Sequence, residues 1–138
     1  MSLTFIDTNV LVYAYDADAG DKHAKAQEVV RDCWESEAGA ISTQVLQEFY
    51  VTVTRKLSKA LPKQDARTVM QTYEAWPVYR PTVADIIAAS ELEQQHSLSF
   101  WDALIIVAAQ KSGASTLISE DLQDGRQIGS LKIVNPFK

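Results

Sequence analysis

The sequence predicts an α/β domain in which a parallel sheet is covered by helices on both faces, and three observations lead there. Short apolar runs, LTFI near the start and TLIS near the end, break off abruptly into polar turns. Longer stretches with apolar residues at helical spacing lie between such runs. The runs alternate little between apolar and polar, as strands buried on both faces do.

Leu3-Thr4-Phe5-Ile6 is the first strand and stops at Asp7-Thr8-Asn9, with a helix expected over 10–15. Asp21 is placed to cap a second helix, whose Ala26, Val29, Val30, Cys33 and Trp34 recur at helical spacing; Gly39 suits its exit. Ala40-Ile41-Ser42 is the second strand. A helix opening at Ser42 or Thr43 follows, with Val45, Phe49, Val53 and Leu57 along one stripe. Pro62 begins the next helix, which buries Ala66, Val69, Met70 and Tyr73. Residues 77–81, flanked by prolines, form a third short strand. Thr82 and Asp85 then make a capping-box start for the helix carrying Ile86, Ile87 and Leu92. Ser99 opens a helix dense in apolar residues and closed by Gly113; the fourth strand is 116–119 and the last is 131–134.

The 138 residues suit one domain spanning 1–138. A chain this long folds without a disulfide or structural metal, so a metal here would serve chemistry. Cys33 is the single cysteine, which rules out an internal disulfide and a cysteine zinc site. No apolar stretch approaches the roughly 20 residues of a membrane span, and MSLTFID lacks the features of a signal peptide. A cytoplasmic protein without a membrane association is expected. The net charge of −5 argues against nucleic-acid binding through a broadly basic surface. A nuclease stays open, because a bound dication inverts the potential where acids gather.

Four acids stand where this architecture places ligands, outside the carboxyl ends of the parallel strands. Asp7 and Asp121 directly follow strands, Glu48 lies early in the helix leaving strand two, and Asp102 is in the first turn of the helix from Ser99. No Lys or Arg occurs within four residues of any of them. Like charges at 4 Å repel by about 4 kcal/mol at an effective dielectric of 20, and a dication relieves that repulsion. Oxygen ligands without His or Cys select Mg²⁺, with Mn²⁺ able to substitute. Taken singly, Asp102 reads equally as a capping-box acid, Glu48 as a solvated helix residue and Asp121 as the start of a turn. Asp7, ending a buried apolar strand, resists such a reading.

The motifs resemble those of the PIN-domain family. Asp7-Thr8-Asn9 after LTFI looks like its opening motif, Gln47-Glu48-Phe49 fits its second acid loosely, SFWDALI (99–105) is similar to the segment with its third, and LISEDLQDG (117–125) to that with its fourth. Order and spacing match over essentially the whole chain, and its size is similar to that of VapC-like toxins. The resemblance implies a three-layer α/β/α sandwich with strand order 3-2-1-4-5 and an Mg²⁺-dependent ribonuclease. It implies Asp7 and Asp102 as principal metal ligands, Glu48 and Asp121 completing the pocket, and Asn9 and Ser119 as supports. A homodimer and a small antitoxin that plugs the acidic pocket are implied as partners. Gln123 stands where the family often has a further acid, which argues against Asp124 as a ligand.

Arg55, Lys56, Lys59, Lys63 and Arg67 concentrate between two helices with only Asp65 opposing them, and they are the candidate RNA phosphate contacts; a solvated corner is the competing reading. His23 and His96 lack metal-ligand spacing and read as surface residues, while Cys33, Trp34 and Trp76 suit packing or an interface. Three rivals to the nuclease are weighed, of which a phosphatase of haloacid-dehalogenase type would expect Asp where Asn9 stands. A phosphoacceptor domain of receiver type would pair acids after strand one, where this chain has a single one. A non-catalytic RNA- or protein-binding module that keeps the fold is separated from the enzyme by Mg²⁺-dependent cleavage.

Overall fold

A computed structural model describes residues 2–138. In chain order the elements are β1 (Leu3–Ile6), α1 (Thr8–Tyr15), α2 (Asp21–Ser36), β2 (Gly39–Ser42), α3 (Thr43–Arg55), α4 (Lys63–Thr72), β3 (Val78–Tyr79), α5 (Val83–His96), α6 (Phe100–Lys111), β4 (Ala114–Ile118), β5 (Gln127–Ile128) and β6 (Leu131–Val134). The sheet runs β3-β2-β1-β4-β6-β5. Every pairing is parallel except that of β5 with β6. The five parallel strands therefore follow the expected order 3-2-1-4-5, with Leu131–Val134 as the fifth. The additional strand, Gln127–Ile128, folds back on β6 through Gly129 at φ 62°. Two residues are too few to leave a periodic signal.

Phe5 and Ile6 point to opposite faces of β1, and both are 0% exposed, so the sheet is covered on both sides. One group of helices packs α1 against α2 and α3, and α3 against α4; in the other, α5 packs against α6. The main core joins Phe5, Ile41, Phe49, Ile105, Ile106, Leu117 and Ile133. Ala89, Ala103, Leu104 and Val107 seal α5 onto α6. No helix among the described residues is long and apolar enough to cross a membrane.

The helix starts expected from Ser and Thr side chains form. Ser42 accepts from the Val45 N–H, Ser99 accepts from the Asp102 N–H, and Thr82 and Asp85 complete a reciprocal capping box. Several boundaries differ: β4 is Ala114–Ile118 against the expected 116–119, β3 is confined to Val78–Tyr79, and α4 stops at Thr72, before Tyr73. Gly20, at φ 64°, caps α2 and makes Asp21 its first residue. The helix ends at Glu37 in the left-handed conformation, not at Gly39. Gly39 instead opens β2, where an added Cβ would lie 2.7 Å from the Trp76 ring. That ring packs with Trp34 and Tyr73 in one aromatic cluster. Cys33 is buried beside it, and burial, followed by the nearby charge of Asp32, pushes its thiol up to about 11. Cys33 is therefore a packing residue, not a nucleophile at neutral pH. The apolar side chains of Val83, Ile86 and Ile87 on α5 and Trp101 on α6 face solvent.

Candidate active site

Strand direction delivers the first acid. Asp7 follows Ile6 at the carboxyl edge of β1 and caps α1, its Oδ1 accepting from the Thr8 N–H at 2.7 Å. Ile6 pairs with Ile118, so the residue after β4, Ser119, comes to lie beside Asp7. The Ser119 hydroxyl donates to Asp7 Oδ2 at 2.7 Å and accepts from the Asp121 N–H at 3.2 Å. Asn9 spans the same gap. Its Nδ2 donates to Asp121 Oδ2 at 3.0 Å, with longer approaches of 3.4 Å to Asp7 and Ser119, while its Oδ1 accepts the Glu120 N–H at 3.1 Å. The expected supports, Asn9 and Ser119, thus link the first acid to the fourth.

Glu48 lies on α3, and two side chains hold it. Thr8 Oγ1 donates to its Oε1 at 2.6 Å, and Gln44 Nε2 donates to its Oε2 at 3.3 Å. The same Gln44 amide donates to the Trp101 carbonyl at 3.2 Å, one residue before Asp102. Asp102 occupies the first turn of α6, partly buried. Only the first half of the capping box forms there, through the Ser99 hydroxyl and the Asp102 N–H at 3.1 Å.

The acids act on one another. Burial raises Asp7 to about 7, against the lowering hydrogen bonds from Ser119 and Thr8, and the charges of Asp102 and Glu48 add to the rise. Asp102 is also raised, first by burial and then by Asp121 and Glu48, with the Ser99 hydroxyl opposing. Among the described residues no Lys or Arg pairs with any of the four; the neighbouring Lys22 is taken by Glu120. Tyr13 also donates to Glu120, at 2.7 Å, so Glu120 anchors its loop to α1 and α2 and is no fifth member of the group.

Among the described residues, no three His, Cys, Asp or Glu side chains converge closely enough to enclose an ion. Mg²⁺ does not require such a cage, because it keeps several waters and takes one or two carboxylates. Oxygen donors that repel one another and lack a cation fit a hard dication, with Asp7, Glu48, Asp102 and Asp121 the residues able to hold it.

A groove of about 660 Å³ runs from Glu48 and Asp121 past Thr8, Asn9 and Tyr13 to Lys56. A second, about 430 Å³ and mostly apolar, lies between α3 and α4; it shares Gln47 and Val51 with the first and ends at Arg67. The five predicted cations therefore separate. Lys56 and Arg67 line the grooves, Arg55 and Lys63 line neither, and Lys59 approaches Asp18 at 3.8 Å. Asp124 accepts the Asn135 N–H at 2.8 Å and ties down the C-terminal segment, a structural task. The histidines are only partly exposed: His23 meets the Tyr13 carbonyl and His96 accepts from Arg126. The sequence reading missed Thr8, Gln44 and Glu120. Of these, Gln44 alone carried a signal, standing one helical turn before Glu48 on the same face.

The model of the PIN-domain family matches residues 4–124. No curated protein sequence matches the chain. Among solved structures, a toxin–antitoxin complex from Klebsiella pneumoniae superposes with a TM-score of 0.67 at 20% identity, over 96% of this chain and 97% of that one. VapC20 of Mycobacterium tuberculosis, described as a sarcin–ricin loop cleaving toxin, gives 0.65 at 20% identity, over 83% and 86%. DNA-bound VapBC from Salmonella typhimurium gives 0.66 at 15% identity, over 96% and 97%. At these identities the structures speak to the fold, and the family match speaks to the sequence. All four acids lie within the matched span, and the chain belongs to the PIN-domain family.

Proposed function

We propose that this PIN domain is an Mg²⁺-dependent endoribonuclease and the toxin of a toxin–antitoxin pair. The observation that carries the reading is that Asp7 and Asp102, at separate edges of one acidic neighbourhood with Glu48 and Asp121, are both raised by burial and by nearby carboxylates, with no Lys or Arg paired to them among the described residues. Asp7 and Asp102 are the principal ligands, with Glu48 and Asp121 completing the pocket. When bound, the ion acidifies water and stabilises charge on the scissile phosphate. Ser119 and Asn9 hold Asp7 and Asp121 next to each other, and Thr8 fixes the Glu48 oxygen that steers the attacking water. Water adds across the P–O3′ bond: its hydroxyl goes to phosphorus and its proton to the departing 3′ oxygen. The products carry 5′-phosphate and 3′-hydroxyl ends.

Sequencing of RNA ends after incubation with wild type and Asp102→Asn tests this. Wild type with Mg²⁺ should generate 5′-phosphate ends, EDTA should suppress them, and the variant should lose about 10²-fold or more in rate. Binding of RNA or protein with no Mg²⁺-dependent cleavage by wild type would leave the non-catalytic module as the answer. Lys56 and Arg67 supply phosphate contacts at the groove ends. Replacing both with Ala should reduce the slope of log K against log salt by roughly 1.4, about 0.7 per single-strand contact; an unchanged slope removes them from the RNA path.

The structural neighbours from Klebsiella pneumoniae and Salmonella typhimurium are toxin–antitoxin complexes. Their likeness supports an antitoxin partner, and an acidic, partly apolar groove suits a basic, apolar peptide segment. The exposed Val83, Ile86, Ile87 and Trp101 support a second copy of the chain as a further partner. A monomer in sedimentation velocity at micromolar concentration would reject the homodimer.

A further inference from the structure

Gln44 Oε1 is the one buried side-chain oxygen or nitrogen among the described residues without a hydrogen-bond partner. Gln44 stands in the first turn of α3, only 6% exposed. Its nitrogen is engaged by Glu48 Oε2 at 3.3 Å and by the Trp101 carbonyl at 3.2 Å. Both partners are acceptors, so the amide has one orientation. A flip would set its oxygen against a carboxylate and a carbonyl. A buried acceptor left unpaired is costly, and an apolar side chain of equal size would remove that cost while giving up the two N–H bonds. The retained amide therefore calls for a task that Leu or Met cannot perform.

The partners indicate the task. One amide touches the second acid directly and the backbone immediately before the third, so it ties α3 to α6 at the acid group. We infer that Gln44 is a positioning residue of the acid centre: its N–H groups set the spacing of Glu48 and Asp102, and its Oε1 accepts a hydrogen bond from water that enters with the divalent ion. The inference rests on the metal-dependent reading above and adds a member to its machinery. Gln44 contributes no charge; it acts through Glu48, Asp102 and bound water.

Two measurements on the full chain, stripped of metal, test it. In calorimetric titration with Mn²⁺, Gln44→Met should bind about 10–100-fold more weakly than wild type, the usual loss when a group behind a metal ligand is removed. Its metal-free melting temperature should meanwhile change little, because removing the unpaired oxygen offsets the loss of the two N–H bonds. In a nitrogen-15 spectrum of wild type, the Gln44 side-chain amide signals should shift saturably with Mg²⁺, at the same midpoint as the calorimetric binding of that ion. Equal Mn²⁺ affinity of the two proteins overturns the inference, and so does an amide signal unmoved at Mg²⁺ saturation. The second measurement uses only wild type and decides alone if the variant does not fold. A wild type that binds neither ion defeats the metal-dependent reading itself, whereas tight binding by both proteins defeats only the role of Gln44.

Discussion

Asp7→Asn is expected to abolish Mg²⁺-dependent RNA cleavage, by about 10²-fold or more, and at the same time to stabilise the metal-free protein at pH 8. Both effects arise from one buried carboxyl. Folding moves Asp7 from an ordinary 3.8 to about 7, chiefly by burial. Between those values the native state keeps a proton that the unfolded chain has released. Stability is therefore full below about pH 4, falls as pH rises, and levels off above about 7. The shift corresponds to roughly 4 kcal/mol across that window. The variant's neutral amide carries no such slope, though it gives up the charge-assisted bond from Ser119, about 1–3 kcal/mol. In EDTA, melting temperatures measured from pH 5 to pH 8 should fall for wild type relative to the variant. The variant should be the more stable at pH 8. Added Mg²⁺ should restore wild type more at pH 8 than at pH 5, because an ion bound to the carboxylate competes with the proton. Parallel melting curves for the two proteins at every pH would show that Asp7 ionises freely and that the strained-acid account is wrong.

Gly39→Ala should be among the most damaging small substitutions in the chain. The new methyl would lie 2.7 to 2.8 Å from three atoms of the Trp76 ring. The ring cannot readily retreat, because Trp76 is 6% exposed and packed against Trp34 and Tyr73. Overpacking of this kind costs about 1–3 kcal/mol, a fall of several degrees in melting temperature for a domain of this size. β2 leads directly into Ser42 and α3, so RNA cleavage should fall as well. Trimming the obstacle should give relief: in Gly39→Ala with Trp76→Leu, the two losses should sum to less than their separate values. Additive losses in the double variant would locate the damage in backbone preference and not in the clash.

These two residues mark where the sequence was readable. Asp7 ends a run of four residues, three of them apolar, a local pattern that fixes both the strand edge and the acid on it. Ser42, Thr82 and Ser99 were equally legible as caps, since a cap acts on a backbone N–H only two or three positions away. Gly39 was misread as a helix exit because its reason lies far downstream, in Trp76. Glu37 closes α2 in the left-handed conformation, which a non-glycine seldom adopts and which its sequence does not announce. Asp102 could not be told from a capping acid until α6 was seen beside Glu48. Thr8, Gln44 and Glu120 act across 40, 57 and 107 positions, on Glu48, Trp101 and Tyr13. No local period records such pairings. The basic segment reads as one cluster because its members are close in the chain, yet only Lys56 and Arg67 line the two grooves and Lys59 pairs with Asp18.

The contact between β1 and β4 bears on when the acid group exists. Asp7 and Asn9 leave the ribosome 112 residues before Ser119 and Asp121 respectively. A nascent chain has no fourth acid, and its first lacks the hydroxyl that holds it. Under the nuclease reading proposed above, competence then waits on the arrival of β4 and Ser119, and a chain halted before that point would be harmless to the transcript being read.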